Sequence, residues 1–257
     1  MESTMRLNIS TEIYTRHPES LDEFPKEFKH LMSIKFLNHQ ELMSETPLEA
    51  WYEKGEWESN NLKSFDLADA VRLAIIYKFG GIYSDLDIIL FNRKVLETKN
   101  KMAHQHIDPW HGHQINSNFL DFEPKHPFVW MMMEYFVDTY ELNHHWGSTG
   151  PAVTTGALLK CLHNPEMIHK CQNIERLPKY IFQYIQTGTL RKTLNTLATH
   201  TTDLKEHMMK VSYGLHFSNS EIGHDKMHIG GLLHELMIEN CPITLQKYEN
   251  ELFEIDI

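Results

Sequence analysis

No stretch of this sequence reaches the ~20 consecutive apolar residues that a membrane-spanning helix needs. The opening residues, MESTMRLNIS, lack the charged-then-apolar pattern of a secretory signal, so the chain as written is expected to be soluble. Positive charge is also scarce. There are 24 lysines and arginines against 35 aspartates and glutamates, a formal net charge of −11. Such a surface repels phosphate backbones, which excludes a nucleic-acid partner, and an anionic ligand would need a local cation to be held. Cysteine is limited to Cys161, Cys171 and Cys241. The first two flank HNPEMIHK, whose Asn-Pro marks a turn. They suit either a short loop closed by a disulfide, leaving Cys241 odd, or three reduced buried thiols. Internal repeats, low-complexity tracts and long linkers are missing too, so residues 1–257 read as a single domain.

What is present is ordinary globular material: 41% hydrophobic and 11% aromatic residues, enough for a substantial core. Asn8-Ile9-Ser10 is a glycosylation sequon, a pattern short enough to arise by chance. The first forty or so residues are polar and mixed. A helix is predicted from Pro47 to Lys54 with Thr46 as N-cap. A longer one is predicted from Asp66, as cap, to Phe79, ended by Gly80-Gly81. IYSDLDIILF, residues 82–91, reads as a strand, and INSNFLDFE, from residue 115, as another. HPFVWMMMEYFVDTYE reads as a largely buried helix whose methionines fill the core. A further helix starts at Pro151, VSYGLHF (211–217) is a short strand, and GGLLHELMIENC is a last helix. Helices alternating with strands predict an α/β protein.

The chemistry concentrates in DLADAVRLAIIYKFGGIYSDLDIILF, residues 66–91. Asp69 and Arg72 are three apart on a helix among apolar neighbours, and buried charges are costly unless paired. They can satisfy one another, or present a carboxylate and a guanidinium fork to the hydroxyls of a sugar. Asp85 and Asp87, two apart in a strand, are expected to face the same way. Two carboxylates that close stay ionised only beside a cation. Mn²⁺ or Mg²⁺ takes oxygen ligands and bridges carboxylates to phosphates, which would let an acidic protein hold a nucleotide diphosphate.

That stretch resembles the D-x-x-R…G-G-x-Y-x-D-x-D signature of retaining, DXD sugar-binding glycosyltransferases. More closely, the chain resembles the α-1,4-galactosyltransferase and α-1,4-N-acetylglucosaminyltransferase family. TRHPES, TPLEAWY, INSNFLDFEPKHPFVWMMMEYFVDTY, WGSTGP, SYGLHF and LLHELMIENCP carry the likeness through most of the chain. The resemblance implies a GT-A-like α/β fold, shortened in its N-terminal nucleotide-binding half. Within it, residues 41–92 would be the DXD sugar-binding region and 115–243 the α-1,4-glycosyltransferase C-terminal region. It implies a hexosyltransferase of glycosphingolipid biosynthesis, moving a hexose from a UDP-sugar to a galactose-bearing glycolipid or glycan with retention. Asp85 and Asp87 match the pair that holds the metal, Mn²⁺ or Mg²⁺, and the diphosphate. Asp69 and Arg72 match the binders of donor-sugar hydroxyls, and Asn116 matches an Asn on the strand facing the sugar. His216 stands where the family has a histidine that suits a third metal ligand. Asp85, Asp87 and Asn116 are thus the expected catalytic set. With no dedicated nucleophile evident, a front-face return of the acceptor is favoured, and Asn116 or Asp121 would be the residues to contest it. The family works in the Golgi lumen behind an N-terminal anchor and stem that this chain is expected to lack.

Three departures stand out: Ser84 replaces an apolar residue, Ser218 an aromatic, and polar LDEFPKEF an apolar strand after HPES. A catalytically silent relative, acting as a partner or regulator of active transferases, is the competing expectation. A more distant one is a metal-binding module built on His104, His106, His111 and His113, with Asp108, in HQHIDPWHGH. The plainer alternative there is an exposed loop. Trp51, Tyr52 and Trp57 suit either a sugar ring or the core.

Overall fold

The computed structural model describes residues 1–18, 25–59, 61–108, 112–140, 145, 147–186, 188–218, 222 and 226–254. Its strands, in chain order, are β1 (Thr11–Thr15), β2 (Met32–Phe36), β3 (Gly81–Ser84), β4 (Ile88–Leu90), β5 (Lys101–Asp108), β6 (Gly112–Phe122), β7 (Glu175–Leu177) and β8 (Gly214–His216), followed by the short β9 (Met227–His228) and β10 (Phe253–Glu254). Helices alternate with them along the chain, the α/β class expected. Two compact units emerge. One is formed by Leu37–Asp85 and Thr98–Pro178, the other by Met1–Phe36, Leu86–Glu97 and Lys179–Ile257.

The first unit is built on a four-stranded sheet in the order β3-β6-β5-β7. β6 lies antiparallel to both β3 and β5, and β7 runs parallel to β5. Helices Lys63–Phe79, Pro127–Thr139 and Pro151–Leu162 bury Leu73, Ile76, Met131, Met132, Met133, Phe136, Val153 and Ala157, and the sheet contributes Met102, Leu120 and Phe122. The Met run is core filler, as expected. Trp51 is core as well, edge-on to Phe136 at 4.9 Å and to Tyr140 at 5.2 Å. Buried on both sides, the middle of β6 reads as a continuous closed run even though Asn116, Ser117 and Asn118 stand in it. Cys161 and Cys171 form a disulfide, closing the loop around the Asn-Pro turn.

The second unit holds three separate strand pairs: β1 with β2, parallel; β4 with β8, antiparallel; and β9 with β10, parallel. Ile89, Leu194, Met208, Leu215, Leu232, Leu236, Leu245 and Phe253 form its core. Cys241 is buried here as a free thiol. The Glu2 carboxylate accepts the Ile243 and Thr244 N–H groups (3.0 and 2.7 Å), satisfying otherwise orphaned donors at the start of the helix Pro242–Leu252.

Several sequence-based boundaries are corrected. Residues 82–91 are not one strand. The ladder of β3 with β6 ends at Ser84–Phe119, with Asp85 N–H donating to Asn118 O at 2.9 Å, whereas Ile88 pairs with His216 on β8. The chain changes partner, and Leu86-Asp87 is a turn with Leu86 73% exposed. The period-two argument for the facing of Asp85 and Asp87 therefore does not apply. The long helix begins at Lys63, so Asp66 lies inside its first turn rather than capping it. The late strand is only Gly214–His216, because Val211 ends a helix. The helix Leu232–Asn240 is followed by another, Pro242–Leu252. β1 and β2 lie in the polar opening segment where no strand was expected: β1 is mostly half-exposed and β2 mostly exposed, which leaves little hydrophobic alternation to read.

Candidate functional site

The helix Lys63–Phe79 places Asp66, Asp69 and Arg72 at successive three-residue steps. It stops at Gly80 and Gly81, which take φ values of +67° and +90° that other residues resist. The chain then enters β3 and returns beside the helix, so Tyr83 and Asp85 meet Arg72. The guanidinium is the hub of this cluster. It lies 3.2 Å from Asp69 Oδ1 and 3.5 Å from Asp85 Oδ1, and its carbon sits 4.8 Å from the centre of the Tyr83 ring. Nη1 also donates to the Ser117 carbonyl (2.8 Å) and hydroxyl (3.0 Å) on β6. Tyr83 donates its hydroxyl to Asp85 Oδ1 at 2.6 Å. Burial pushes the Tyr83 phenol far above its ordinary range.

Asp69 is 8% exposed and Asp66 2%. Burial raises the Asp69 pKa, against the opposing pull of Arg72 and of a hydrogen bond from Thr149. Thr149 Oγ1 stands between the two carboxylates, 2.8 Å from Asp69 Oδ2 and 3.1 Å from Asp66 Oδ1, while Tyr140 donates to Asp66 Oδ2 at 3.0 Å. A hydroxyl has one proton, so it can donate to only one of the two acids. Gly150 completes the fit. A Cβ there would lie 2.7 Å from Ser117 Oγ and 3.0 Å from both Asp69 oxygens, so only glycine lets the backbone approach so closely.

In the other unit, His216 at the end of β8 sets Nε2 3.2 Å from Asp87 Oδ1, and its Nδ1 is 3.2 Å from Ser218 Oγ. Phe217 N–H donates to the Asp87 carbonyl at 3.1 Å, holding backbone as well as side chain. Ser218, the residue in place of an aromatic, adopts φ +44° and is buried, so it orients the imidazole from the far side.

The structure thus gathers Asp69, Arg72 and Asp85 around one guanidinium, and separately brings Asp87 and His216 together. Asn116 is buried on β6 next to Ser117. Its Oδ1 accepts the Asn118 N–H at 2.9 Å. Asp121 lies farther along β6, 3.4 Å from the fully buried Lys101 ammonium. Burial lifts the Asp121 pKa to about 6, with Lys101 opposing the shift. His104 is described, but His111 and the side chains of His106, Asp108 and His113 lie outside the described residues. Sequence reasoning missed Ser117, Tyr83, Thr149 and Asp66 as members of the cluster. The signals were in plain view within G-G-x-Y, INSNFL and WGSTGP, but their pairing needs three dimensions. It also missed Asn118, 1% exposed, whose amide nitrogen and oxygen both lack a hydrogen-bond partner among the described residues.

Residues 3–112 match the family described as the glycosyltransferase sugar-binding region containing a DXD motif, which places the chain among sugar-binding glycosyltransferase folds. Residues 121–248 match the α-1,4-glycosyltransferase conserved region. The chain belongs to that α-1,4-glycosyltransferase family. It is 31% identical to lactosylceramide 4-alpha-galactosyltransferase of Mus musculus, over 82% of this chain and 57% of that protein. It is 32% identical to alpha-1,4-N-acetylglucosaminyltransferase of Homo sapiens, over 81% of this chain and 59% of that protein. The chain therefore spans less than two thirds of the length of these curated relatives. A solved PaToxG glycosyltransferase overlaps 62% of this chain and 61% of its own at 18% identity, with a TM-score of 0.47. Among the described residues, no helix is long and apolar enough to cross a membrane.

Proposed function

We propose that this protein is a metal-dependent, retaining α-1,4-hexosyltransferase. It moves galactose or N-acetylglucosamine from a UDP-sugar to a galactose-bearing glycolipid or glycan, in the Golgi lumen. The observation that carries this reading is the Arg72 hub, which holds Asp69 and Asp85 at 3.2 and 3.5 Å directly before the D-L-D turn. A purely structural ion pair needs one carboxylate; two on one guanidinium, backed by Ser117 and Thr149, leave acceptor oxygens for sugar hydroxyls. The named activities of the galactosyl- and N-acetylglucosaminyl-transferase relatives support the choice of hexose.

In this reading Asp69 and Arg72 bind donor-sugar hydroxyls and Asp85 joins them from the end of β3. Asn116, with the unspent amide of Asn118 beside it on β6, adds polar contacts on the sugar side. By the DXD resemblance, Asp85, Asp87 and His216 would hold Mn²⁺ or Mg²⁺. Two carboxylates and one imidazole are a donor set such ions accept. The Asp87–His216 contact supports the fit, because it sets a carboxylate oxygen and an imidazole nitrogen 3.2 Å apart, two donor atoms one cation can take together. Bound there, the ion would offset charge growing on the diphosphate as the glycosidic bond breaks. Ser218 keeps the His216 ring aligned by taking Nδ1–H, leaving Nε2 as the ligand atom. Lys101 occupies the Asp121 carboxylate, which supports front-face return of the acceptor over attack by that side chain.

The test is hydrolysis of UDP-galactose, UDP-N-acetylglucosamine and UDP-N-acetylgalactosamine with Mn²⁺ or EDTA, beside Asp87→Asn. One donor is expected to turn over only with metal, and Asp87→Asn to lower the rate roughly 100-fold, the scale of losing a group that stabilises developing charge. Failure to bind UDP in the presence of Mn²⁺ would identify a silent relative instead. A trapped glycosyl–enzyme adduct in mass spectra would overturn the front-face route.

A further inference from the structure

On the unit that carries the Arg72 hub, a surface cleft of ≈340 Å³ is lined by Tyr77, Lys125, Pro127, Trp130 and Lys170. Separate elements converge on it. Tyr77 comes from the last turn of Lys63–Phe79, and Trp130 from the first turn of Pro127–Thr139. Lys125 sits in the turn between β6 and that helix, at φ +58°, with its N–H donated to the Tyr77 carbonyl at 2.6 Å. Lys170 ends the helical turn Ile168–Lys170, immediately before the disulfide-bonded Cys171. The cleft is therefore held by a helix end, a constrained turn and a covalent loop.

Its lining combines cations with aromatic rings. In a chain of net charge −11, two lysines line one small cleft, and neither ammonium has a hydrogen-bond or ion-pair partner among the described residues. The same cleft is lined by two half-buried rings, Tyr77 and Trp130, with centroids 5.3 Å apart and planes tilted by 57°. Trp130 Nε1 donates to Glu134 Oε1 at 2.8 Å, so the polar edge of the indole is satisfied and its face remains for apolar contact. Rings touching at that distance leave no slot for a flat base between them. They form an angled floor for the C–H face of a sugar, with cations on the rim for a carboxylate or sulfate. Tyr77 is five residues beyond Arg72, about 7.5 Å along the helix and on a different face.

We propose that this cleft binds an acidic saccharide, one carrying a carboxylate or sulfate, as a site separate from the Arg72 hub. The inference does not depend on the transferase reading. The test titrates the full chain with 3′-sialyllactose, lactose, UMP and inorganic sulfate, by saturation-transfer NMR and calorimetry at low and high salt. Sialyllactose is expected to bind through its ring C–H protons, with affinity falling as salt rises. The Lys125→Gln/Lys170→Gln double variant is expected to weaken it about tenfold, equivalent to ~1.4 kcal/mol. Both lysines lie outside the core, so circular dichroism and melting should not change. Trp130→Phe is expected to keep binding at reduced strength. Asp87→Asn is expected to bind normally, so loss of transfer activity and loss of this site are distinguishable. The proposal is overturned if lactose or sulfate binds as tightly as sialyllactose, or if UMP binding is what the double variant abolishes. Sialyllactose binding that survives the double variant, or none at millimolar concentration, overturns it equally.

Discussion

Thr149→Val is the most discriminating test of the buried cluster beneath Asp69. The substitution keeps the shape of the side chain and replaces the hydroxyl with a methyl. That hydroxyl is 2.8 Å from Asp69 Oδ2 and 3.1 Å from Asp66 Oδ1, both on buried aspartate residues, 8% and 2% exposed. Water cannot take its place easily at that depth, so a charged acceptor is left short of a donor. A hydrogen bond to a charged group is worth about 1.5–3 kcal/mol, and ~2 kcal/mol is the expected loss. Two acids then face one another across a methyl that donates to neither, and the Asp69 pKa, which Thr149 helps to lower, rises further. All five tryptophans fall within the ranges Leu37–Asp85 and Thr98–Pro178, so fluorescence-monitored urea unfolding reports on the unit that contains the cluster. With a urea m-value of about 2 kcal/mol/M, the midpoint should drop by ~1 M. Thr149→Ser, which keeps the hydroxyl, should recover most of it. A Val variant as stable as the parent, or a Ser variant as weak as Val, would refute the idea that this proton matters.

Two further predictions concern the same unit. The raised pKa of Asp121 makes its contribution to stability fully present below the ordinary value of 3.8 and progressively lost as the pH climbs through about 6. The stability gap between the parent and Asp121→Asn should therefore shrink from pH 4 to pH 7 in thermal melts; a gap constant over that range would contradict it. Reduction of Cys161–Cys171, or their joint replacement by serine, should cost ~2–3 kcal/mol by freeing a ten-residue separation in the unfolded chain. Cys241→Ser, a buried thiol outside that loop, should leave the response to reductant unchanged when the two proteins are compared by melting with and without dithiothreitol.

Much of this molecule was legible in one dimension, because local rules governed it. The helix Pro151–Leu162 begins at the proline that announces it, the Gly pair stops the helix Lys63–Phe79, and the Met run of Pro127–Thr139 is buried as its apolar density required. Asp69 and Arg72 pair because a helix brings side chains three residues apart onto one face, whatever surrounds them.

What one dimension did not determine was partner choice. Asp85 and Asp87 sit in a run that looks like one strand, but hydrogen bonding splits it: β3 finds β6, β4 finds β8, and the residues between become a turn. Thr149 reaches Asp66 and Asp69 across eighty residues of chain, and Ser117 reaches Arg72 across forty-five. Whether a buried charge is met, and by what, depends on which segments the core draws together, and periodicity is silent about that. The sequence named the charged residues and their local order; the tertiary structure alone supplied the groups that make burying them tolerable.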